Sequence, residues 1–257
     1  MLEIEFAGAT DCGPVRPHNE DFIGHLEPGS EAQLRLRGWL FAVADGVGGS
    51  DRGEVASRMT VETLLAEYAE PGKSAEPPAA RLEHAIQTAN TAVYEEGHGA
   101  IASTVVSCAL RYDRAIVAHV GDSRCYLLRN GRARVLTRDH TLANEQARLG
   151  FAMAPKNVLS RSIGTHLFVS VEVNEFEVRR GDMLLLCSDG LHGAITAESL
   201  TQTASQAAPG HLQDAVRELI AVANHSDGGD NVSVQLIRIK SVEAVGMYRG
   251  RPYRLHG

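Results

Sequence analysis

An α+β fold, with antiparallel sheets covered on the outside by helices, is predicted by three observations. Short apolar strands follow one another through tight turns, which implies antiparallel pairing because parallel neighbours need long crossovers. The helical stretches arrive in two pairs, separated by blocks of strands. Stacked layers would bury the apolar stripe of each helix together with the sheet faces. With 44% hydrophobic and 22% charged residues in 257, the chain has the composition of a globular domain with a large core. Disorder, collagen and coiled coil are excluded on that ground.

The elements follow in order. Residues 4–10, 22–26 and 39–44 read as the first strands. A helix is predicted over 53–70, where Val61, Leu64, Leu65 and Tyr68 fall on one face. The segment PGKSAEPP at 71–78 is a turn, and a second helix carries Leu82, Ala85, Ile86, Ala89 and Val93 on one side. Strands resume with STVVSCAL, RAIVAHV, SRCYLLR and ARVLT. Asn130-Gly131, between the last two, is the strongest short hairpin signal. Residues 139–165 break the pattern and hold one short helical candidate, 142–149. A strand over 167–178, a turn at Arg180-Gly181-Asp182 and the strand MLLLCS come next. Helices near 197–206 and 211–224 precede the last strand, VSVQLIRI. The arginine-bearing stretch 241–257 reads as a solvated tail beyond a domain spanning 1–240.

Charge and cysteine usage narrow the function classes. A net charge of −7 and a pI near 5.9 argue against nucleic acid or an anionic membrane as the main partner. No run approaches the roughly 18 apolar residues that a membrane span needs. Glu3 and Glu5 stand where a signal peptide would be apolar. Cys12, Cys108, Cys125 and Cys187 form no C-x-x-C pair, and three lie in apolar runs, as reduced core thiols do. A cytoplasmic protein is expected.

Four aspartates share one context. Asp45 follows WLFAVA, Asp122 follows AIVAHVG, Asp189 follows MLLLCS, and Asp230 precedes the final strand. Each sits beside or close to glycine where a buried strand meets a loop. One such Asp-Gly is ordinary turn chemistry; four suggest a constellation, to which Glu20 and Asp21 add two acids. Carboxylates gathered in a low dielectric repel one another, and a divalent cation is the usual remedy. Oxygen donors without Cys or His favour Mg²⁺ or Mn²⁺ over zinc. A shared carboxylate could bridge two such ions at about 3.5–4 Å, as in hydrolytic two-metal sites. The loop Asp45-Gly46-Val47-Gly48-Gly49 allows close backbone approach, so that the Gly46 carbonyl could join the coordination. Arg16 could fork phosphate oxygens.

The ordered motifs Arg16-Pro-His-Asn-Glu20-Asp21, Ala44-Asp45-Gly46-Val-Gly48-Gly49, Gly121-Asp122-Ser123-Arg124, Thr137-Arg-Asp139-His140, Ser188-Asp189-Gly190-Leu191 and Asp230-Asn231 resemble those of the PP2C-type (PPM family) metal-dependent protein serine/threonine phosphatases, in their bacterial branch. The resemblance implies a four-layer α-β-β-α sandwich of two antiparallel sheets. It implies that Asp45 bridges two ions, that Asp189 and Asp230 ligate the first, and that Gly46 and Glu20 serve the second, with Asp21 supporting. Asp122 with Asp189 matches a third-ion position, and Arg16 matches the phosphate-binding arginine. The implied reaction is in-line attack of a metal-bridging hydroxide on phosphoserine or phosphothreonine, with no phosphoenzyme. Residues 141–165 match the flap that borders the site, and a cognate serine/threonine kinase with its phosphoprotein targets is the implied partner set. One departure is that Val47 stands where relatives outside the bacterial branch carry the histidine proposed to protonate the leaving alcohol.

Other chemistries fit poorly. Cys108 and Arg114 have C-x₅-R spacing, but the intervening residues continue a strand, unlike a thiolate phosphate loop. Gly72-Lys73-Ser74 lacks the first P-loop glycine, with Glu67 in its place. The alternative from another class is a phosphatase-like module that binds or scaffolds without turnover.

Overall fold

The structure, a computed structural model, describes residues 1–47, 52–70, 76–148, 150, 158–248 and 251–254, with 246–248 and 251–254 as backbone. Gly48, Gly49, the Gly72-Lys73-Ser74 triplet, Leu149, Arg249 and most of the flap's centre lie outside the described residues.

The chain runs β1 (Glu3–Asp11), β2 (Asp21–Leu26), α1 (Glu31–Leu36), β3 (Trp39–Asp45), α2 (Gly53–Ala69), α3 (Pro78–Gly97), β4 (Val105–Arg111), β5 (Arg114–Val120), β6 (Arg124–Arg129), β7 (Arg132–Val135), α4 (Leu142–Arg148), β8 (Glu172–Glu177), β9 (Met183–Cys187), α5 (Asp189–Ala194), α6 (Ala197–Gln206), α7 (Leu212–Ser226), β10 (Val232–Ser241), β11 (Val245–Tyr248) and β12 (Arg251–Arg254). Two five-stranded sheets form, in the orders β1-β10-β9-β6-β7 and β2-β3-β4-β5-β8. Every pairing within them is antiparallel.

Period-two alternation assigns the strand faces. On β3, Leu40, Ala42 and Ala44 join a core shared with Val61, Leu64 and Tyr68 of α2 and Leu82, Ile86 and Val93 of α3. Phe41 and Val43, from the same strand, turn the other way and meet Leu184, Leu186 and Ile237 between the two sheets. On the far side, Leu185, Val234 and Leu236 pack against Leu200 of α6 and Leu212, Val216 and Leu219 of α7. The three cores separate four layers, helix pair, sheet, sheet and helix pair, as expected. Because both faces are covered, the central strands read as unbroken apolar runs instead of alternating ones.

The expected strand over 167–178 is shorter: only Glu172–Glu177 pairs as β8. Side chains of α3 take the carbonyls ahead of it. Asn90 donates to the His166 and Leu167 oxygens at 2.9 and 3.0 Å, and Gln87 donates to that of Val169. These residues therefore pack as a strap along α3. Helices α1 and α5 and the β11–β12 ladder within the tail were not anticipated.

Candidate active site

Strand ends deliver the acids to one edge of the sandwich. The β2–β3 register places Asp21 directly opposite Asp45. Where β3 ends, the Asp45 carbonyl accepts bonds from the Thr104 amide at 2.8 Å and the Ser103 hydroxyl at 2.9 Å, which fixes the chain as it turns. The next residue must be glycine. A Cβ on Gly46 would stand 2.4 Å from the Gly53 carbonyl oxygen and 2.8 Å from that of Glu20. This close approach draws the first turn of α2 against Glu20, whose carboxylate lies 3.0 Å from where a Cβ on Gly53 would sit.

Asp189 opens α5 immediately after β9, and its carboxyl and that of Asp45 lie within hydrogen-bonding reach of each other. One Asp189 oxygen, Oδ1, has no donor, and neither has the buried Oδ1 of Asp21. Two facing acceptors are satisfied only by a shared proton or a cation. Asp122 lies in the β5–β6 turn, where its carbonyl meets Nε2 of His192 at 3.0 Å. Asp230 precedes β10; its Oδ1 caps the Asn231 amide at 2.9 Å. Asp122, Asp139, Asp189, Asp227 and Asp230 border a depression of ≈ 830 Å³, with Asn144 of α4 on its rim.

The electrostatics of this edge are those of crowded acids. Burial, the proximity of Asp21 and Asp189, and a hydrogen bond with Asp189 hold the Asp45 carboxyl well above the usual carboxylate range. Burial pushes Asp21 up to about 7, although the Ser188 hydroxyl donates to it at 2.7 Å. Asp122 is likewise pushed up to about 7, by burial and then by Asp189 and Asp139. Glu20 is raised by burial against the opposing pull of Arg16. An all-oxygen pocket in which protons are held this tightly suits a hard divalent cation, which would replace them.

Arg16 stands at the rim. Its Nη2 pairs with Asp230 Oδ2 at 2.9 Å and its Nε donates to the Gly229 carbonyl at 3.2 Å. With a side-chain exposure of 39%, it remains open to solvent and to a ligand.

A model of the protein phosphatase 2C family matches residues 22–231. The chain belongs to that family. It is 32% identical over 242 residues to the serine/threonine phosphatase stp of Listeria innocua, across 89% of this chain and 93% of that one. Among solved structures it is similar to the serine/threonine phosphatase of S. agalactiae, with a TM-score of 0.80, 30% identity, and coverage of 93% of this chain and 100% of that chain. A PstP catalytic domain solved with two manganese ions matches at a TM-score of 0.78 and 29% identity, covering 94% of this chain and all of that one. The Mycobacterium tuberculosis phosphatase PstP/Ppp gives 0.79 and 27% over 93% of this chain and all of its own.

Several residues that stand in the sequence motifs without an assigned role shape this edge of the phosphatase. Asn231 is the staple of the loop after β1: its Oδ1 accepts from the Glu20 amide at 2.8 Å, and its Nδ2 donates to the carbonyls of Cys12 and His18 at 2.9 and 3.0 Å. Its adjacency to Asp230 was visible, but not its reach to the other end of the chain. Gly190 is required because a Cβ there would fall 2.0 Å from the Asn231 carbonyl oxygen. Arg124 grips Asp139 through two bonds of 2.9 and 2.7 Å. Among the described residues no helix is long and apolar enough to cross a membrane.

Proposed function

We propose that this phosphatase 2C hydrolyses phosphoserine and phosphothreonine in proteins, using two divalent cations, Mn²⁺ or Mg²⁺, with a third at Asp122. The observation that carries the reading is the oxygen-only meeting of buried Asp21 with half-buried Asp45 and Asp189, in which Asp45 and Asp189 face each other and one oxygen each of Asp189 and Asp21 lacks a donor. Similarity to a PstP domain solved with two manganese ions supports the choice of metal.

Asp45 would bridge the two ions, Asp189 and Asp230 would hold the first, and Glu20 with the Gly46 carbonyl would hold the second. Ions held by these residues would supply Lewis acidity, activating a water for direct attack on phosphorus and offsetting charge on the phosphoryl oxygens. Asp21, held by Ser188, keeps Asp45 in place from the neighbouring strand. Arg16 would exchange its bond to Asp230 for a phosphoryl oxygen, a rearrangement its exposure permits. Residues 1–240 would form the catalytic domain and 141–165 its flap. Phosphorylated proteins are the substrates and a serine/threonine kinase the opposing partner. All four cysteines are free, and three of them are buried, which supports a reducing, cytoplasmic setting.

The test is hydrolysis of a phosphothreonine peptide with and without Mn²⁺. Turnover that needs the metal, stops with EDTA and is lost in Asp189→Asn is the expected result. No turnover at any metal concentration would favour the silent binding module.

A further inference from the structure

Behind Asp122 lies a group of side chains that the chemistry above leaves unused. His140 is buried and fastened to Gly121 twice: its amide donates to the Gly121 carbonyl at 2.9 Å, and its ring Nδ1 accepts from the Gly121 amide at 3.2 Å. Gly121 has φ +104° and a Cβ there would meet Thr104 at 2.6 Å, so the residue is held in a conformation that side chains rarely adopt. Asp122 is the next residue. On its other edge, His140 Nε2 faces Glu172 Oε2 of β8 at 3.4 Å. His119 of β5 stacks on the His140 ring at a centroid distance of 4.6 Å and an angle of 14°.

The ligand atoms of His119, His140 and Glu172 all lie within 4.8 Å of one another, the composition of a zinc site. The hydrogen bonds decide against it. Because Nδ1 accepts a backbone N–H, the neutral His140 ring carries its proton on Nε2, directed at Glu172. A cation at Nε2 would require an imidazolate. The same tautomer makes the 3.4 Å approach of Arg161 Nη1 to Nε2 a packing contact, not a hydrogen bond.

The flap connects to the backbone at and beside His140. Ser160 donates its amide to the His140 carbonyl at 2.8 Å, Leu142 donates to Val158 at 2.8 Å, and Thr141 bridges Leu159. Asn144 of α4 donates to the Asp139 carbonyl at 3.0 Å. One residue therefore joins the flap and the loop that carries Asp122: the His140 carbonyl holds Ser160 of the returning chain, and the His140 amide and ring hold the Gly121 that precedes Asp122.

We infer that His140, oriented by Glu172, is a positioning residue: through Gly121 it sets the Asp122 carboxylate for the outermost cation and ties that carboxylate to the seating of the flap. The inference rests on the reading of Asp122 as a metal-binding residue.

Two substitutions separate the two ring nitrogens. His140→Asn leaves an acceptor where Nδ1 meets Gly121 and removes the arm to Glu172. His140→Gln leaves an amide near Glu172 and removes the acceptor. The readouts are equilibrium Mn²⁺ binding by calorimetry, hydrogen exchange of the Gly121 amide in the metal-free protein, and kcat and KM for p-nitrophenyl phosphate. His140→Gln is expected to weaken the weakest Mn²⁺ phase by about tenfold or more, the usual effect of losing a residue that orients a metal ligand. It should also speed Gly121 exchange, while His140→Asn changes both by only about two- to threefold on the same scale. Equal Mn²⁺ binding in both variants and wild type overturns the inference, as does an equal loss in both that tracks their thermal midpoints. Should neither variant fold, wild type still decides: a Gly121 amide that exchanges as fast as an exposed one has no such bond. Stoichiometric Zn²⁺ binding that Glu172→Gln removes would overturn the tautomer and the inference with it. If Asp122→Asn leaves all Mn²⁺ phases unchanged while Gly121 stays protected, the fault lies in the metal reading of Asp122 and not in the clamp.

Discussion

Asp21 and Asp45 face each other directly across the β2–β3 ladder, Asp21 buried and Asp45 half-buried. Like charges in that cross-strand position destabilise a sheet. A divalent cation bound beside the pair would relieve that repulsion.

The pH dependence of the metal-free protein should show this directly. Asp21 and Asp122 titrate near 7 and Asp45 well above the ordinary range, all chiefly through burial. Unfolded, they would titrate near 4, so between those values the folded state holds the extra protons and stability falls as pH rises through the folded pKa. Histidines act in the opposite sense. Burial lowers His140 to about 4 and also lowers His119 and His192, so their contribution is lost as pH drops below the free imidazole value of about 6.5. In EDTA the thermal midpoint should therefore vary little between about pH 5 and 6.5, where the carboxyls and the histidines oppose each other, and decline above about pH 6.5 once the histidine gain is complete, and saturating Mn²⁺ should flatten that decline. A midpoint that climbs steadily from pH 6.5 to 8.5 without metal would contradict this account.

Asp45→Asn should separate stability from activity. Removing one of the crowded charges raises the midpoint of the metal-free protein at pH 8 and cancels the shift caused by Mn²⁺. Hydrolysis of p-nitrophenyl phosphate should fall by at least about 100-fold, the scale for loss of a central electrostatic group. Scanning calorimetry in EDTA and in Mn²⁺ reads the first effect and steady-state kinetics the second.

Arg16→Ala should leave the fold intact, because an ion pair with both side chains 39% exposed contributes at most about 1 kcal/mol. The loss should appear in kcat/KM for phosphorylated substrates, by about 10- to 100-fold for a charge-assisted fork removed from a phosphoryl group. Arg16→Lys should recover only part of it, since an ammonium cannot form the fork. Equal kcat/KM in all three proteins would remove Arg16 from the site.

Two glycines of the same short helix make a matched control. A methyl on Gly190 would strike the Asn231 carbonyl at 2.0 Å, whereas one on Gly193 meets nothing within 4 Å. Gly190→Ala should cost about 1–3 kcal/mol through overpacking, together with Mn²⁺ affinity. Gly193→Ala should unfold within about 0.5 kcal/mol of wild type in urea.

Much of this was legible in advance. Strands buried on both faces, such as WLFAVA and MLLLC, declare themselves by continuous apolar character, and the helices that cover them by an i, i+3, i+4, i+7 stripe. The acids showed as a repeated context, a carboxylate at the end of each such strand. Short elements did not: α1 and α5 span six residues each, too few to display a period. Val169, Val171 and Val173 alternate like a strand, yet Val169 and Val171 lie in the strap whose carbonyls Gln87 and Asn90 take. Asn231 and His140 were hidden for another reason. Their importance lies in hydrogen bonds to backbone far away in sequence, to Glu20, Cys12 and Gly121, and no local pattern encodes a partner's address.

The place of β10 in its sheet has a consequence for biosynthesis. This strand lies between β1 and β9, paired with β1 from Glu3–Ser241 to Asp11–Val232, and Asp230 and Asn231 lead into it. A nascent polypeptide still threaded in the ribosome would already carry Arg16, Glu20 and four of the aspartates, but it would lack the strand that seats them and the asparagine that fastens the first loop. Chains that stop before residue 230 are therefore expected to show no phosphatase activity, whatever else of the sandwich they have formed.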